Sequence, residues 1–305
     1  MNTEKITFID LFAGCGGLSL GLEEAGFFPL YVNELNPDAL ETYLMNRDEE
    51  YPHLREESFH SNDIKECIKD ELFFTRLKRN LNKNFGVTNV DLICGGPPCQ
   101  GYSGIGYRRS YSVNKKQLPS NHLYQDMAYF ISKMKPKIFL FENVKGLLSA
   151  RWTPKGKKGE IFEDVKSTFK DLKDYNIKFK LVYAKDYGVP QNRPRILLVG
   201  VRKDVIKASS QVDDAVINGF LPGGEGGYPH IIEIFSDIED KKFKYGEQTS
   251  TYPHDPKTDF QVQLRTRPNG TIASKGDEIT EHLYSNHTQR IRDKFQTMID
   301  NDGEI

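Results

Sequence analysis

Cysteine is scarce in this chain. Cys15, Cys67, Cys94 and Cys99 are the four present, and they form neither a CxxC pair nor a ladder of metal-ligand spacing. That pattern argues against a disulfide framework or a metal site. In a reducing compartment, a special role for one of these thiols would be chemical rather than structural. Long apolar runs are missing as well. None approaches the ~20 residues of a membrane helix, and the opening MNTEKITFID lacks a signal-peptide layout, so a cytoplasmic protein with no membrane segment is expected. Nor is there an excess of positive charge: 42 Lys and Arg stand against 43 Asp and Glu, a formal charge of −1. A freestanding nucleic-acid binder usually carries a basic excess. Any contact with nucleic acid must therefore use local basic clusters or a surface supplied by something else. Repeats and low-complexity tracts are also absent, and 37% hydrophobic with 28% charged residues points to a globular chain rather than a disordered one.

What is present is an alternation of apolar runs with amphipathic stretches over the first two hundred residues, the pattern of a parallel sheet with crossover helices. ITFIDLF (6–12), FPLYVNE (28–34), VDLICGG (90–96) and KIFLFENV (137–144) read as strands, with a short one ending near Asp63. Helices are expected from about Gly17 to Ala25, after Pro37, and across 64–80, where Ile64, Ile68, Leu72 and Leu77 share one side. IKFKLVYA (177–184) and RILLVGV (195–201) should pair closely at a sheet edge. Beyond Asp204 the periodicity fades. Residues 1–204 read as one doubly wound α/β domain and 205–305 as an irregular extension.

Phe12-Ala-Gly14-Cys-Gly16-Gly17 follows the first strand directly. Glycines there let the backbone turn tightly and approach a ligand, at a helix N-terminus that offers free N–H groups. Glu34 closes the second strand, placed to bond ribose hydroxyls, and Asp63 closes the third, placed to accept from an adenine amino group. These acids suggest a nucleoside ligand without separating a dinucleotide from S-adenosylmethionine.

Gly95-Gly96-Pro97-Pro98-Cys99-Gln100-Gly101 lies just past the fourth strand, on the edge where ligands bind in such sheets. Two prolines restrict the backbone ahead of the Cys99 sulfur. Cys94, inside an apolar run, reads as core, Cys67 as helix packing and Cys15 as part of the turn. Glu142-Asn143-Val144 ends the fifth strand, where a carboxylate is costly unless paired or used. In Gln191-Asn-Arg193-Pro-Arg195, two arginines at i and i+2 of an extended segment should point the same way, toward a carboxylate or phosphate.

In this order, DLFAGCGG, GGPPCQGYS, ENVKGL and QNRPR resemble the motif series of the DNA (cytosine-5) methyltransferase family, over about residues 6–202. The resemblance implies a Rossmann-like S-adenosylmethionine-dependent methyltransferase sheet, in an enzyme of restriction-modification type that flips its target cytosine out of double-stranded DNA. It implies Cys99 as nucleophile at cytosine C6, Glu142 holding the ring at N3 and the exocyclic amine, and Arg195 with Arg193 orienting base and carboxylate. Phe12, Glu34, Leu35, Asp63, Ile64, Pro97 and Leu123 match cofactor-lining positions, beside Gly14, Gly16 and Gly17 of the turn. The segment 102–121 falls where the family has a loop that closes over DNA. Gln100, Ser103, Arg108, Arg109, Lys115 and Lys116 are its DNA-facing candidates, and Arg151, Lys155, Lys157 and Lys158 form a second basic cluster. Many members carry an arginine shortly before the position of Leu123, where this chain has Ser120-Asn121-His122.

Residues 205–305 contain neither the recognition region nor the closing motifs of the family, although Asn286-His287-Thr288-Gln289-Arg290 and a helix over 291–299 resemble the lead-in to them. A second polypeptide supplying those parts, or a continuation of this one, is expected. Two other readings share the motif set: a catalytically silent methyltransferase-like subunit, and a tRNA cytosine-5 methyltransferase. Intact Cys99, Glu142, Arg193 and Arg195 weigh against the silent subunit.

Overall fold

The computed structural model describes residues 5–98, 119–208, 220–221, 223–224 and 227–301. The chain divides into two compact units, one of residues 1–184 with 192–224 and the other of 185–191 with 225–305.

The first unit is built on seven described strands in the order β3-β2-β1-β4-β5-β7-β6. Strands β1 (Ile6–Leu11), β2 (Phe27–Asn33), β3 (His60–Ser61), β4 (Leu92–Gly95) and β5 (Ile138–Val144) run parallel. β7 (Pro194–Arg202) lies antiparallel to β5, and β6 (Tyr175–Tyr183) pairs antiparallel with β7 at the edge, as the alternating sequence of 177–184 suggested. Parallel strands covered on both faces must be apolar throughout, and β1 and β4 are buried almost end to end. Alternate side chains go to opposite faces. Phe8, Leu92 and Cys94 meet Leu18 and Leu22 of α1 (Gly17–Glu24), and α2 (Pro37–Met45) packs Leu40, Tyr43 and Leu44 against Val32. Ile9, Ile93, Phe139 and Phe141 enter the main core, with α3 (Ile64–Lys69), α4 (Phe73–Phe85), α5 (Leu123–Met134) and α6 (Glu160–Lys170). The sheet is doubly wound.

One expected helix is two. The 64–80 stretch breaks at Asp70, which takes an extended conformation and accepts the Leu72 N–H at 3.0 Å, restarting the chain as α4. Leu72 consequently stands 62% exposed rather than on the apolar side with Ile64 and Leu77. The side-chain spacing suited either arrangement, and the local Asp70 bond decides it.

After β7, α7 (Lys203–Ala208) is the last described helix of this unit. The described part of the second unit holds α8 (Ile231–Phe235), α9 (Asp259–Arg265) and α10 (Gln289–Asp300), and between them isolated bridges pair Gln248 with Leu283, Thr251 with Glu278 and Thr266 with Ile272. Its centre is polar. Asp237, with no exposed surface, pairs with Arg265 at 2.7 Å, and the buried Gln261 closes a capping box with Thr258 at the start of α9. None of the described helices is long and apolar enough to cross a membrane.

Candidate active site

The parallel sheet presents the ends of β1 to β5 along one edge, and the candidate site residues sit there. Cys99, Gln100, Ser103, Arg108, Arg109, Lys115 and Lys116 lie outside the described residues. The described part brings together two groups of side chains.

The first surrounds the turn after β1. Phe12 has φ +59°, a left-handed conformation rare for a bulky residue and typical of backbone held at a functional turn. Gly14 donates its N–H to Glu34 Oε2 at 2.8 Å, while Asn36 N–H bonds Glu34 Oε1 at 2.8 Å. Both carboxylate oxygens are thus fixed, and each keeps a lone pair for a further donor. Leu35 beside it is 66% exposed. Asp63 caps α3 through the Lys65 N–H at 2.8 Å, Ile64 is buried in the core, and Leu123 opens α5 against the same core. Asn33, which the sequence did not single out, ties these ends together. Its carbonyl accepts from Ala13 N at 3.1 Å, and its buried amide donates to Ser61 Oγ at 2.8 Å and Asn62 O at 2.9 Å.

Beneath the turn lies a polar network that sequence patterning also did not show. Asp10, fully buried inside β1, accepts from Ser19 Oγ at 2.6 Å, and Ser19 Oγ meets Tyr43 OH at 2.9 Å. Burial pushes the Asp10 carboxyl up to about 7, against hydrogen bonds from Ser19 and Cys94 and the charge of Arg47, which pull it down. A carboxyl raised in the folded state stabilises the fold fully below its unfolded value near 3.8, and that contribution is lost as pH rises to about 7. Asp10→Asn, permanently neutral, is expected to gain on the parent between pH 4 and 8, by on the order of 3–4 kcal/mol for a shift of about three units. Denaturant unfolding of both proteins across that range checks this; a stability difference that stays flat with pH would contradict it.

The second group lies where β4, β5 and β7 end. In the antiparallel register Glu142 faces Leu197 and Val144 faces Arg195, so Glu142 and Arg195 are diagonal neighbours on one face. They form an ion pair through Arg195 Nε and Glu142 Oε1. The contact lies off the axis of the N–H, which has no linear hydrogen-bond acceptor, so it is chiefly electrostatic. The two side chains are 20% and 29% exposed, dry enough to strengthen the pair and open enough to meet a ligand. Gly96 leaves room for the carboxylate: a Cβ there would lie 3.0 Å from Glu142 Oε2. On the opposite face of β5, the buried Asn143 donates its amide to Pro97 O at 3.2 Å, while its own oxygen accepts from Val144 N at 2.9 Å. Asn143 therefore ties the end of β5 to the backbone just ahead of Cys99. A small cleft lined by Pro97, Pro98, Phe141 and Asn143 runs beneath that backbone. The two arginines part company: Arg195 meets Glu142, whereas Arg193, one residue before β7, is exposed.

The other cysteines are placed as their surroundings predicted. Cys94 is wholly buried and donates to Ile9 O at 3.5 Å; Cys67 is buried against Tyr31 and Ser61; Cys15 is exposed in the turn. Burial raises the Cys94 thiol well above its ordinary range, which keeps it protonated and inert.

The chain matches the family model for C-5 cytosine-specific DNA methylases over residues 6–302. It is 30% identical over 291 residues to Type II methyltransferase M.DdeI of Desulfomicrobium norvegicum, covering 95% of this chain and 60% of that one. With Type II methyltransferase M.HhaI of Haemophilus parahaemolyticus it shares 32% identity over 200 residues, 66% of this chain and 50% of the relative. A solved structure described as a DNA modification methyltransferase encoded within a prophage (E. coli) aligns with a TM-score of 0.54 and 25% identity, covering 83% of this chain and 61% of that chain. The chain thus spans about half to three fifths of the length of these relatives. With a family match across nearly its whole length, and a sheet whose ends carry the family's motifs, this chain belongs to the C-5 cytosine-specific DNA methylases.

Proposed function

We propose that the chain carries the catalytic apparatus of a type II DNA (cytosine-5) methyltransferase that uses S-adenosylmethionine. The observation that carries this reading is the Glu142–Arg195 pair seated against Gly96, at the strand ends where the Pro97-Pro98-Cys99 segment begins. The turn fits the cofactor: a Cβ at Gly14 or Gly17 would meet no atom within 4 Å, so this backbone faces open space beside Glu34. Gly14, Gly16 and Gly17 would approach the cofactor through backbone, Glu34 would hold its ribose hydroxyls, and Asp63 its adenine amine. Phe12, Leu35, Ile64, Pro97 and Leu123 would line the remainder. When bound, S-adenosylmethionine supplies an electrophilic methyl group.

Everything else falls to the chain. The C5 carbon of cytosine is a weak nucleophile in the aromatic ring. The Cys99 thiolate adds to C6, the C5–C6 π bond breaks, and its electron pair makes C5 nucleophilic. Glu142 accepts from the exocyclic amine and shares a proton with N3 as negative charge builds on the ring, taking it back when the S–C6 bond breaks, and Arg195 orients that carboxyl group. After C5 gains the methyl group its proton leaves to solvent base. The S–C6 bond then breaks, which restores the double bond and the thiolate.

DNA is the proposed macromolecular substrate. Arg151, Lys155, Lys157 and Lys158 are exposed on a loop anchored by Trp152, which is buried, stacks on His122 at 5.0 Å and donates Nε1–H to Asp164 at 2.6 Å. Of the nearby acids, Glu160 accepts from the Trp152 backbone N–H and Asp164 from its indole, while the exposed Glu163 pairs with Lys166. Replacing Lys155, Lys157 and Lys158 together by Ala is expected to lower the slope of log affinity against log salt by about 2–3, at about 0.9 for each phosphate no longer neutralised. An unchanged slope would remove this loop from the interface.

The reading as a whole is tested by transfer of labelled methyl groups to duplex DNA and to tRNA, with and without a recognition-bearing polypeptide. 5-Methylcytosine in the DNA is expected. Label confined to tRNA, or no transfer under either condition, would overturn the proposal.

A further inference from the structure

Arg47 is a buried cation that no part of the proposed chemistry uses. Its side chain is 4% exposed, and each guanidinium nitrogen is engaged. Nε donates to Glu23 Oε1 at 2.7 Å, Nη1 to Tyr43 O at 3.1 Å and Nη2 to Gly16 O at 3.1 Å, while the guanidinium carbon sits 3.9 Å from the centre of the Tyr43 ring. We propose that Arg47 is a positioning residue for the cofactor: clamped by Glu23, it locks the Gly16–Gly17 peptide so that the Gly17 N–H faces the open space ahead of α1.

The argument starts from the peptide itself. A peptide between two glycines meets little steric resistance to flipping, because neither flank carries a Cβ. Gly16 already stands at φ +89°, and a Cβ there would lie 2.6 Å from Tyr43 Cδ2 and 2.7 Å from Arg47 Nη1. The Gly16 carbonyl accepts two bonds, from Leu20 N at 2.9 Å inside α1 and from Arg47 beneath it. In a planar trans peptide the N–H points opposite to the C=O. Holding the carbonyl toward Leu20 and Arg47 therefore aims the Gly17 N–H the opposite way, back along α1 toward the turn, and beside it no atom lies within 4 Å of the Gly17 Cβ position. At its other end the turn is held through Gly14 N by Glu34. The two contacts come from opposite sides of the same five-residue turn, one from the ligand side and one from below.

A purely stabilising role is the weaker explanation. A buried ion pair is often no better for stability than apolar residues of similar volume, since desolvation offsets its attraction. What an arginine adds is direction: its planar fork reaches two carbonyls and a carboxylate at once, which a lysine or an aliphatic chain of similar length does not.

This inference rests on the Gly-rich turn being the cofactor site, and the test separates the two. Affinity for S-adenosylmethionine is measured by calorimetry for the parent, Glu34→Ala, Arg47→Met and Arg47→Lys. Amide exchange at Leu20, whose N–H donates to the Gly16 carbonyl, is followed well below the unfolding temperature. Glu34→Ala should weaken binding, Arg47→Met should weaken it at least tenfold with faster exchange at that amide, and Arg47→Lys should fall between Met and the parent. If Glu34→Ala binds like the parent, the cofactor-site reading fails. If Glu34→Ala weakens binding while folded Arg47→Met keeps parental affinity, the lock alone is overturned. Should Arg47→Met not fold, Glu23→Ala carries the test: it removes the clamp but leaves the guanidinium, and unchanged affinity there overturns the proposal equally.

Discussion

Cys99→Ser is expected to bring methyl transfer to background, a loss of at least about 10³-fold, because an unactivated hydroxyl replaces the thiolate that must add to the ring. Cys94→Ser is the control that makes the result specific. Cys94 has no exposed surface, its sulfur donates to Ile9 O, and it packs with Phe8 and Leu92 under the sheet. Placing a hydroxyl in that setting should cost about 1–3 kcal/mol of stability while leaving turnover of the folded protein near parental. Rate assays on both variants, corrected for the folded fraction by circular dichroism, decide the matter. Turnover lost in folded Cys94→Ser would reassign the nucleophile.

The second large effect is expected at Glu142. Glu142→Gln keeps the shape but removes the carboxyl group that shares a proton with N3 as negative charge builds on the ring, and kcat should fall by about 10²–10³. Arg195→Met removes the guanidinium that orients this carboxylate and leaves it beside Gly96 with no counter-charge. A comparable loss is expected. Because the two residues act as one unit, the double variant should lose far less than the product of the single losses. Arg195→Lys keeps the positive charge that this contact chiefly supplies and should retain part of the rate. Single-turnover kinetics with saturating DNA checks all four proteins. Strictly multiplicative losses would mean that Glu142 and Arg195 contribute independently.

Much of the sheet was legible because buried parallel strands are largely apolar runs, as β4, the 138–141 part of β5 and, apart from Thr7 and Asp10, β1 are. The acids and arginines of the site were legible for a related reason: Glu34, Glu142 and Arg195 are charged residues at or just past the ends of such runs, where only pairing or use explains them. What stayed hidden depends on tertiary proximity. Arg47 reaches Gly16 across 31 residues, and Asn143 reaches Pro97 across 46. No local pattern marks Arg47, two residues past α2, as a clamp on the residue that caps α1. The break at Asp70 was hidden for the opposite reason, since a single short-range bond outweighs a helical spacing that suits one helix or two. Arg193 stands one residue before β7 and is exposed, whereas Arg195 meets Glu142 within the sheet, a difference in burial that i, i+2 spacing does not reveal.

The central claim is that a covalent bond forms between Cys99 and the target base. A duplex carrying 5-fluorocytosine at the target position blocks the final elimination, because fluorine at C5 cannot leave as the proton does. Incubated with S-adenosylmethionine and this protein, together with any recognition-bearing partner that its methylation requires, the duplex should form an adduct stable to denaturation. Mass spectrometry of the digested adduct is the direct measurement. The account predicts the modified base on the peptide that contains Cys99, and no adduct with Cys99→Ser. A base attached to Cys15, Cys67 or Cys94, or methylation that proceeds with no trapped species, would contradict it.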